Sequence, residues 1–292
     1  MRHLLTCGLL LAVVAVWGWT FTVMKEPVAV YGVASFLAVR FLIGSAALAP
    51  LAARRQTWRS LKTGALIGVV LAAGYLFQTF GLRQTTATNT GLITGLFIVF
   101  APLANRVLFG VRTSAALWAA VAASVAGLAL LSGGAPAGIA AGDLFTLGGA
   151  VCFGLQIALL DRYAKRHDVL ALAQGQLLAA TVILLLVWPL TDPIAWPPRE
   201  VWPALLLTGV VATAVGFAVQ TFAQKRLTAV QTAVIIVLEP LFAALFGYLL
   251  AGDRLTGIQW LGGGLLVGGL VLGEVYPRLR RTGRDPAARG SG

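Results

Sequence analysis

Residues Thr228 to Leu250 read TAVQTAVIIVLEPLFAALFGYLL, with Glu239 and Pro240 at the centre of an otherwise apolar run of 23 residues. As a helix this run spans about 34 Å, which matches a bilayer core of about 30 Å with a little tilt. A mid-span acid costs about 2.5 kcal/mol or more on insertion scales, and proline cannot donate to the carbonyl of Ile236. Both need compensation from inside the protein. A span that is acidic and interrupted at the midplane is the expected form of a solute site, because broken helices leave backbone groups free to meet a ligand.

The rest of the chain has the same character. It is 59% hydrophobic and 11% charged, with 34 glycines in 292 residues and a mean hydropathy of +0.88. That composition predicts an all-α polytopic membrane protein and argues against a soluble fold. Ten apolar segments can be marked, at 4–24, 32–52, 62–82, 87–109, 114–132, 143–162, 169–190, 203–224, 228–250 and 256–276. The opening Met1-Arg2-His3 and its apolar run imitate a signal peptide but lead into Trp17-Gly18-Trp19 without a small-residue cleavage site, so an uncleaved first span is expected. Cys7 and Cys152 lie in apolar runs without metal-type spacing, so neither a disulfide framework nor a metal site is expected.

An even number of spans puts both termini on one side. That side collects Arg2, Arg54, Arg55, Arg59, Lys62, Arg106, Arg112, Arg162, Lys165, Arg166, Lys225, Arg226 and the tail arginines 278, 280, 281, 284 and 289. The opposite side has only Lys25, Arg83, Arg199 and Arg254, and Arg40 lies within a span. The positive-inside rule therefore predicts cytoplasmic termini in a cell (inner or plasma) membrane, and it accounts for the net charge of +12 without nucleic acid as a partner. The loop from Thr191 to Pro203, TDPIAWPPREVWP, has the prolines and tryptophans of an external interfacial connection. Residues 277–292 read as a basic, disordered cytoplasmic tail able to touch anionic lipid.

An internal repeat emerges when the third and eighth segments are aligned. Gln78-Thr79-Phe80 matches Gln220-Thr221-Phe222, Arg83 matches Lys225, Thr86-Ala87 matches Thr228-Ala229 and Trp118 matches Trp260, all at an offset of 142 residues. Pro102 and Pro240 correspond with a four-residue slip, which marks both as expected helix breaks. Equivalent elements are five spans apart, an odd number, so the halves lie upside down relative to each other. The expected organisation is two inverted five-helix repeats, 1–138 and 139–276, around a central cavity.

Several of these residues carry a resemblance. Trp17-Gly18, Phe21, Arg40-Phe41, Leu238-Glu239-Pro240, Gly252-Asp253-Arg254 and Gln259-Trp260-Leu261-Gly262 resemble the EamA branch of the drug/metabolite transporter superfamily. The resemblance covers nearly the whole chain and implies ten helices, a cavity between the halves, and export of amino acids or related metabolites. The chain departs from the pattern at Asp253, where the family often has Glu. In its first half Ala101-Pro102 stands where the second has Glu239-Pro240, so any acid-dependent role belongs to one half.

The candidate cavity residues are Trp17, Phe21, Arg40, Tyr75, Gln78, Thr79, Asn89, Thr90, Thr94, Gln156, Gln220, Gln231 and Glu239. A carboxyl at 239 able to take up and release a proton could couple transport to a gradient or hold a substrate ammonium; it could equally be a structural acid at the proline break. Arg40 could snorkel, meet a helix C-terminus, or bind a substrate carboxylate. With Glu239 across a cavity it would suit a zwitterion. The glutamines and threonines serve either as interhelical glue or as cavity lining, and the aromatics as packing or as the walls of an amphipathic cavity.

An enzyme is not expected, since His3 and His167 lie in flanks and no loop is long enough for a catalytic domain. No phosphate-binding glycine loop is present, so ATP drive and cofactors are not expected either. The reading is a secondary or facilitative exporter of small organic solutes, amino acids first, in a lipid bilayer, as a monomer or homodimer. The alternatives are an exporter of hydrophobic cations or drugs, or a channel-like pore.

Overall fold

A computed structural model describes residues 2–82, 84, 87–132, 141–250 and 254–282. Among these residues every regular element is helical: α1 (Arg2–Tyr31), α2 (Val33–Ala52), α3 (Trp58–Leu82), α4 (Ala87–Gly95), α5 (Phe97–Phe109), α6 (Ala115–Leu131), α7 (Ala141–Tyr163), α8 (Val169–Thr191), α9 (Trp202–Leu206), α10 (Gly216–Gln224), α11 (Ala229–Ile236), α12 (Glu239–Leu250) and α13 (Gly257–Thr282). A π-helical stretch, Leu207–Val215, joins α9 to α10. Seven helices are long and apolar enough to cross a membrane, and Ile93–Phe109, Ala115–Leu131 and Gly257–Gly273 are shorter apolar helices. The chain is a multi-pass membrane protein.

Two boundaries differ from the sequence reading. The first helix does not stop near residue 24 but runs through Pro27 to Tyr31. It turns at Gly32, whose φ of 93° is open to glycine and costly for other residues. There Asp192 Oδ2 accepts from Ala34 N (2.8 Å), Ser35 N (3.1 Å) and Ser35 Oγ (3.2 Å), so the end of α8 caps the exposed amides of α2. At the other extreme α13 continues to Thr282, so the first tail residues extend the helix instead of beginning a disordered segment. Residues 283–292, the 138/139 boundary, Arg83, Thr86, Gly252 and Asp253 lie outside the described residues.

Both interrupted helices break the same way. Leu96 (φ −64°, ψ −8°) separates α4 from α5, and its N–H bonds back to Ile93 O at 3.1 Å. Val237 (φ −63°, ψ −7°) ends α11, and the next N–H, of Leu238, bonds to Ile235 O at 3.2 Å. Each break is one tightened turn. Pro240 is the second residue of α12, where its missing N–H belongs to the helix's unpaired first turn. Pro102, expected to make the equivalent break, lies inside α5 six residues past it.

Packing is set by small residues at two crossings. A Cβ on Gly18 of α1 would lie 2.6 Å from Phe242 Cβ and 2.8 Å from both Ala243 N and Glu239 O. A Cβ on Gly154 of α7 would lie 2.6 Å from Phe100 Cβ and 2.8 Å from Ala101 N. Phe242-Ala243 and Phe100-Ala101 are 142 residues apart, the offset of the sequence repeat. Thus α1 rests on α12 as α7 rests on α5. Between these crossings α3 packs on α7 and α8, α2 packs on α8 and the π-helical stretch, and α6 pairs with α13.

Candidate functional site

The centre of the bundle is a run of rings. Trp17 and Phe217 stand 5.7 Å apart, Phe217 and Phe41 6.1 Å, Phe41 and Tyr75 5.1 Å, and Tyr75 and Phe153 5.3 Å. Edge and tilted contacts of this kind fix ring orientation beyond what area burial gives. Trp17 is anchored by its indole N–H, which donates to Ala212 O at 2.7 Å. That carbonyl belongs to the π-helical stretch, a geometry that recurs where a helix serves a functional site.

Charge enters this centre from two helices. Arg40, on α2, is 4% exposed; its Nε–H donates to Thr213 Oγ1 at 2.9 Å and Nη1 lies 3.4 Å from Met24 Sδ. It neither snorkels nor reaches a helix end, because the π-helical stretch supplies its partner. Glu239 opens α12 at the break. Tyr75 and Glu239 are the ionisable groups whose fields reach Arg40. Arg40 and Glu239 nonetheless form no ion pair with each other among the described residues, and the Glu239 carboxylate meets no hydrogen-bond donor there. Two opposite charges thus face the same ring-lined centre, each with bonding capacity to spare.

A neutral amide ladder stands on the other flank. Gln220 Nε2 donates to Gln156 Oε1 (3.2 Å), Gln156 Nε2 to Gln176 Oε1 (3.2 Å) and Gln176 Nε2 to Thr221 Oγ1 (3.3 Å), and the three glutamines are 0–2% exposed. Gln156 and Gln220 each follow a ring of the central run, Phe153 and Phe217, by three residues on the same helix face.

The other expected residues are scattered around this core. Gln78 Nε2 donates to Thr94 Oγ1 at 3.1 Å, tying α3 to α4, with Thr79 half-buried beside it. Thr90 is buried on α4. Gln231 is not brought to the centre: its Oε1 accepts from Thr228 N at 3.1 Å in a capping box at the start of α11. The side chains of Phe21 and Asn89 lie outside the described set. The sequence reading missed Thr213, Phe153, Phe217 and Gln176. The offset of 142 that pairs Gln78 with Gln220 also pairs Tyr75 with Phe217 and was the available signal for it.

Comparison with known proteins agrees with this arrangement, for the model of EamA-like transporters matches residues 4–133 and 140–273. The chain belongs to the EamA-like transporter family. This EamA-like protein is 32% identical over 258 residues to an uncharacterized transporter of Archaeoglobus fulgidus, covering 88% of this chain and 82% of that one. It is 26% identical to a probable terminal-alkyne amino-acid exporter of Streptantibioticus cattleyicolor, covering 90% and 91%. A crystal structure with 23% identity superposes with a TM-score of 0.79 over 94% of this chain and 98% of the other, a likeness of fold. The EamA-like protein is therefore a membrane transporter of small molecules.

Proposed function

We propose that the chain is a secondary or facilitative exporter of small organic solutes, amino acids first, working by alternating access. In this reading ten spans form two inverted five-helix repeats, 1–138 and 139–276, which rock about the central rings with both termini cytoplasmic. The paired crossings at Gly18 and Gly154, with Phe-Ala partners at the repeat offset, support the inverted plan. Similarity to a probable amino-acid exporter supports the substrate class.

One observation carries the substrate reading: Arg40 and Glu239 reach the same ring-lined centre without neutralising each other. Opposite charges left apart suit a zwitterion whose carboxylate meets Arg40 and whose ammonium meets Glu239. The test is counterflow into proteoliposomes loaded with an amino-acid mixture, comparing wild type with Glu239→Gln and Arg40→Met. Saturable exchange that drops at least about tenfold in each variant is expected; undiminished exchange in both would sink the charge-pair reading. Repeating the assay under an imposed pH gradient separates proton coupling from facilitated movement. Ring faces beside an unbonded carboxylate also fit an organic cation. For that second reading Arg40→Met would abolish amino-acid flux and spare cation flux.

A further inference from the structure

The direction of the amide ladder is fixed by its last member. Thr221 has one hydroxyl proton, and it is committed to Phe217 O at 2.7 Å. Toward Gln176, therefore, Thr221 can only accept, and Gln176 must present its NH2. Gln176 then offers its oxygen to Gln156, and Gln156 offers its own to Gln220. Turning any one amide over would set two donors or two acceptors face to face. The chain of bonds ends at Gln220 Oε1, which is buried and has no partner. Hydrogen bonds aligned in one direction polarise one another, so the terminal oxygen is a stronger acceptor than an isolated amide.

Position gives this open acceptor a meaning. Thr213, Phe217 and Gln220 follow one another on one helix at spacings of four and three. They bring the arginine's anchor, a ring of the central run and the unpaired oxygen onto one face. From Thr213 to Gln220 the helix rises roughly 10 Å, the scale of an amino acid with a long side chain. One turn further along, Gln224 repeats the pattern: its Nε2 donates to Ile157 O at 2.7 Å and its buried Oε1 has no partner.

We propose that Gln220 Oε1 is a specificity subsite that accepts a hydrogen bond from a donor group at the uncharged end of the transported solute. This rests on the amino-acid reading above and deepens it. The favoured solutes carry a hydroxyl, amide or ring N–H distal to the charged end, and Gln224 Oε1 is the next acceptor for that donor. A solute without the donor leaves the buried oxygen unsatisfied, the situation in which sites discriminate most sharply.

The test uses the full chain in proteoliposomes and reads kcat/KM for two nearly isosteric pairs, L-tyrosine against L-phenylalanine and L-threonine against L-valine. Wild type should favour the donor-bearing member of at least one pair by about fivefold or more. Gln220→Leu should bring that ratio to about one. Gln220→Glu, whose neutral form donates to Gln156 Oε1 and keeps a carbonyl oxygen open, should restore the preference and guards against a folding defect in the leucine variant. A wild-type ratio near one for both pairs, or a preference that survives in Gln220→Leu, overturns the subsite while leaving amino-acid transport in place. Absence of flux for all four solutes overturns the amino-acid reading and the subsite with it.

Discussion

The crossing at Gly18 and the crossing at Gly154 share a backbone plan and differ in what they hold. In each, a glycine of one half seats against a Phe-Ala pair of the other, and the helix carrying that pair begins just after a tightened turn. At the first residue of that helix, however, one has Glu239 and the other Phe97. The same contrast holds for the second helix of each half. Arg40 and Gln176 are separated by the same 136 residues as Gly18 and Gly154, and each donates to a buried threonine, Thr213 or Thr221. Repetition supplies the frame, and the chemistry has been placed on one side of it. A site of matched halves would bind a ligand with two like ends; this one has a charged flank and an amide flank.

Exchanging the flanks should break the comparison most severely. Gln176→Arg would bury a cation with no carboxylate in the ladder, so thermal unfolding in detergent should show a loss of about 3–5 kcal/mol. Arg40→Gln, the converse, should leave stability within about 1 kcal/mol while amino-acid counterflow falls at least tenfold. Equal loss of stability in the two would mean that charge is not what distinguishes the flanks. Next come the glycine seats. Gly18→Val and Gly154→Val each force a branched side chain onto facing backbone and should cost about 1–3 kcal/mol alike, which melting of the two purified variants compares directly.

The threonines sharpen the contrast on a finer scale. Thr213→Val strips a charged donor of its partner and should cost about 2 kcal/mol, against about 1 kcal/mol for Thr221→Val, whose lost partner is a neutral amide. Smallest is an effect at the face with the excess of basic residues. Burial, aided by Arg59, Lys225 and Arg166, holds the His167 imidazole below its usual range. The unfolded chain then binds a proton more readily than the folded one, so stability declines as pH falls below about 6.5. His167→Gln should flatten the slope of Tm against pH on that acid side; an unchanged slope would remove His167 as its source.

How far the sequence could be read depended on whether a feature leaves a periodic or compositional trace. Apolar runs gave the helices, and Glu239-Pro240 gave the second break, because an acid and a proline in a span have few other uses. The first break has no such mark: it falls at Leu96, and Pro102, which seemed to signal it, is accommodated inside α5. Nothing in LTGVVATAV announces a π-helix, so Thr213 could not be foreseen as the partner of Arg40. Gln231 looked like cavity lining, but a glutamine three residues past a helix-starting threonine is also a capping box, and that local bond prevailed. Gln176 was passed over because its repeat partner is an arginine, and likeness was the signal being sought.

The partners of the second helix also set an order of events during synthesis. Asp192, which caps α2, follows Ala34 by 158 residues, and Thr213, which holds Arg40, follows it by 173. When α2 leaves the ribosome, neither exists. Arg40 must therefore enter or wait at the translocon as an unaccompanied cation, and the first hairpin reaches its final depth only after the eighth and ninth helices have been made. Any pause or truncation before residue 213 leaves a nascent protein whose second helix is still unmoored, a ready target for membrane quality control.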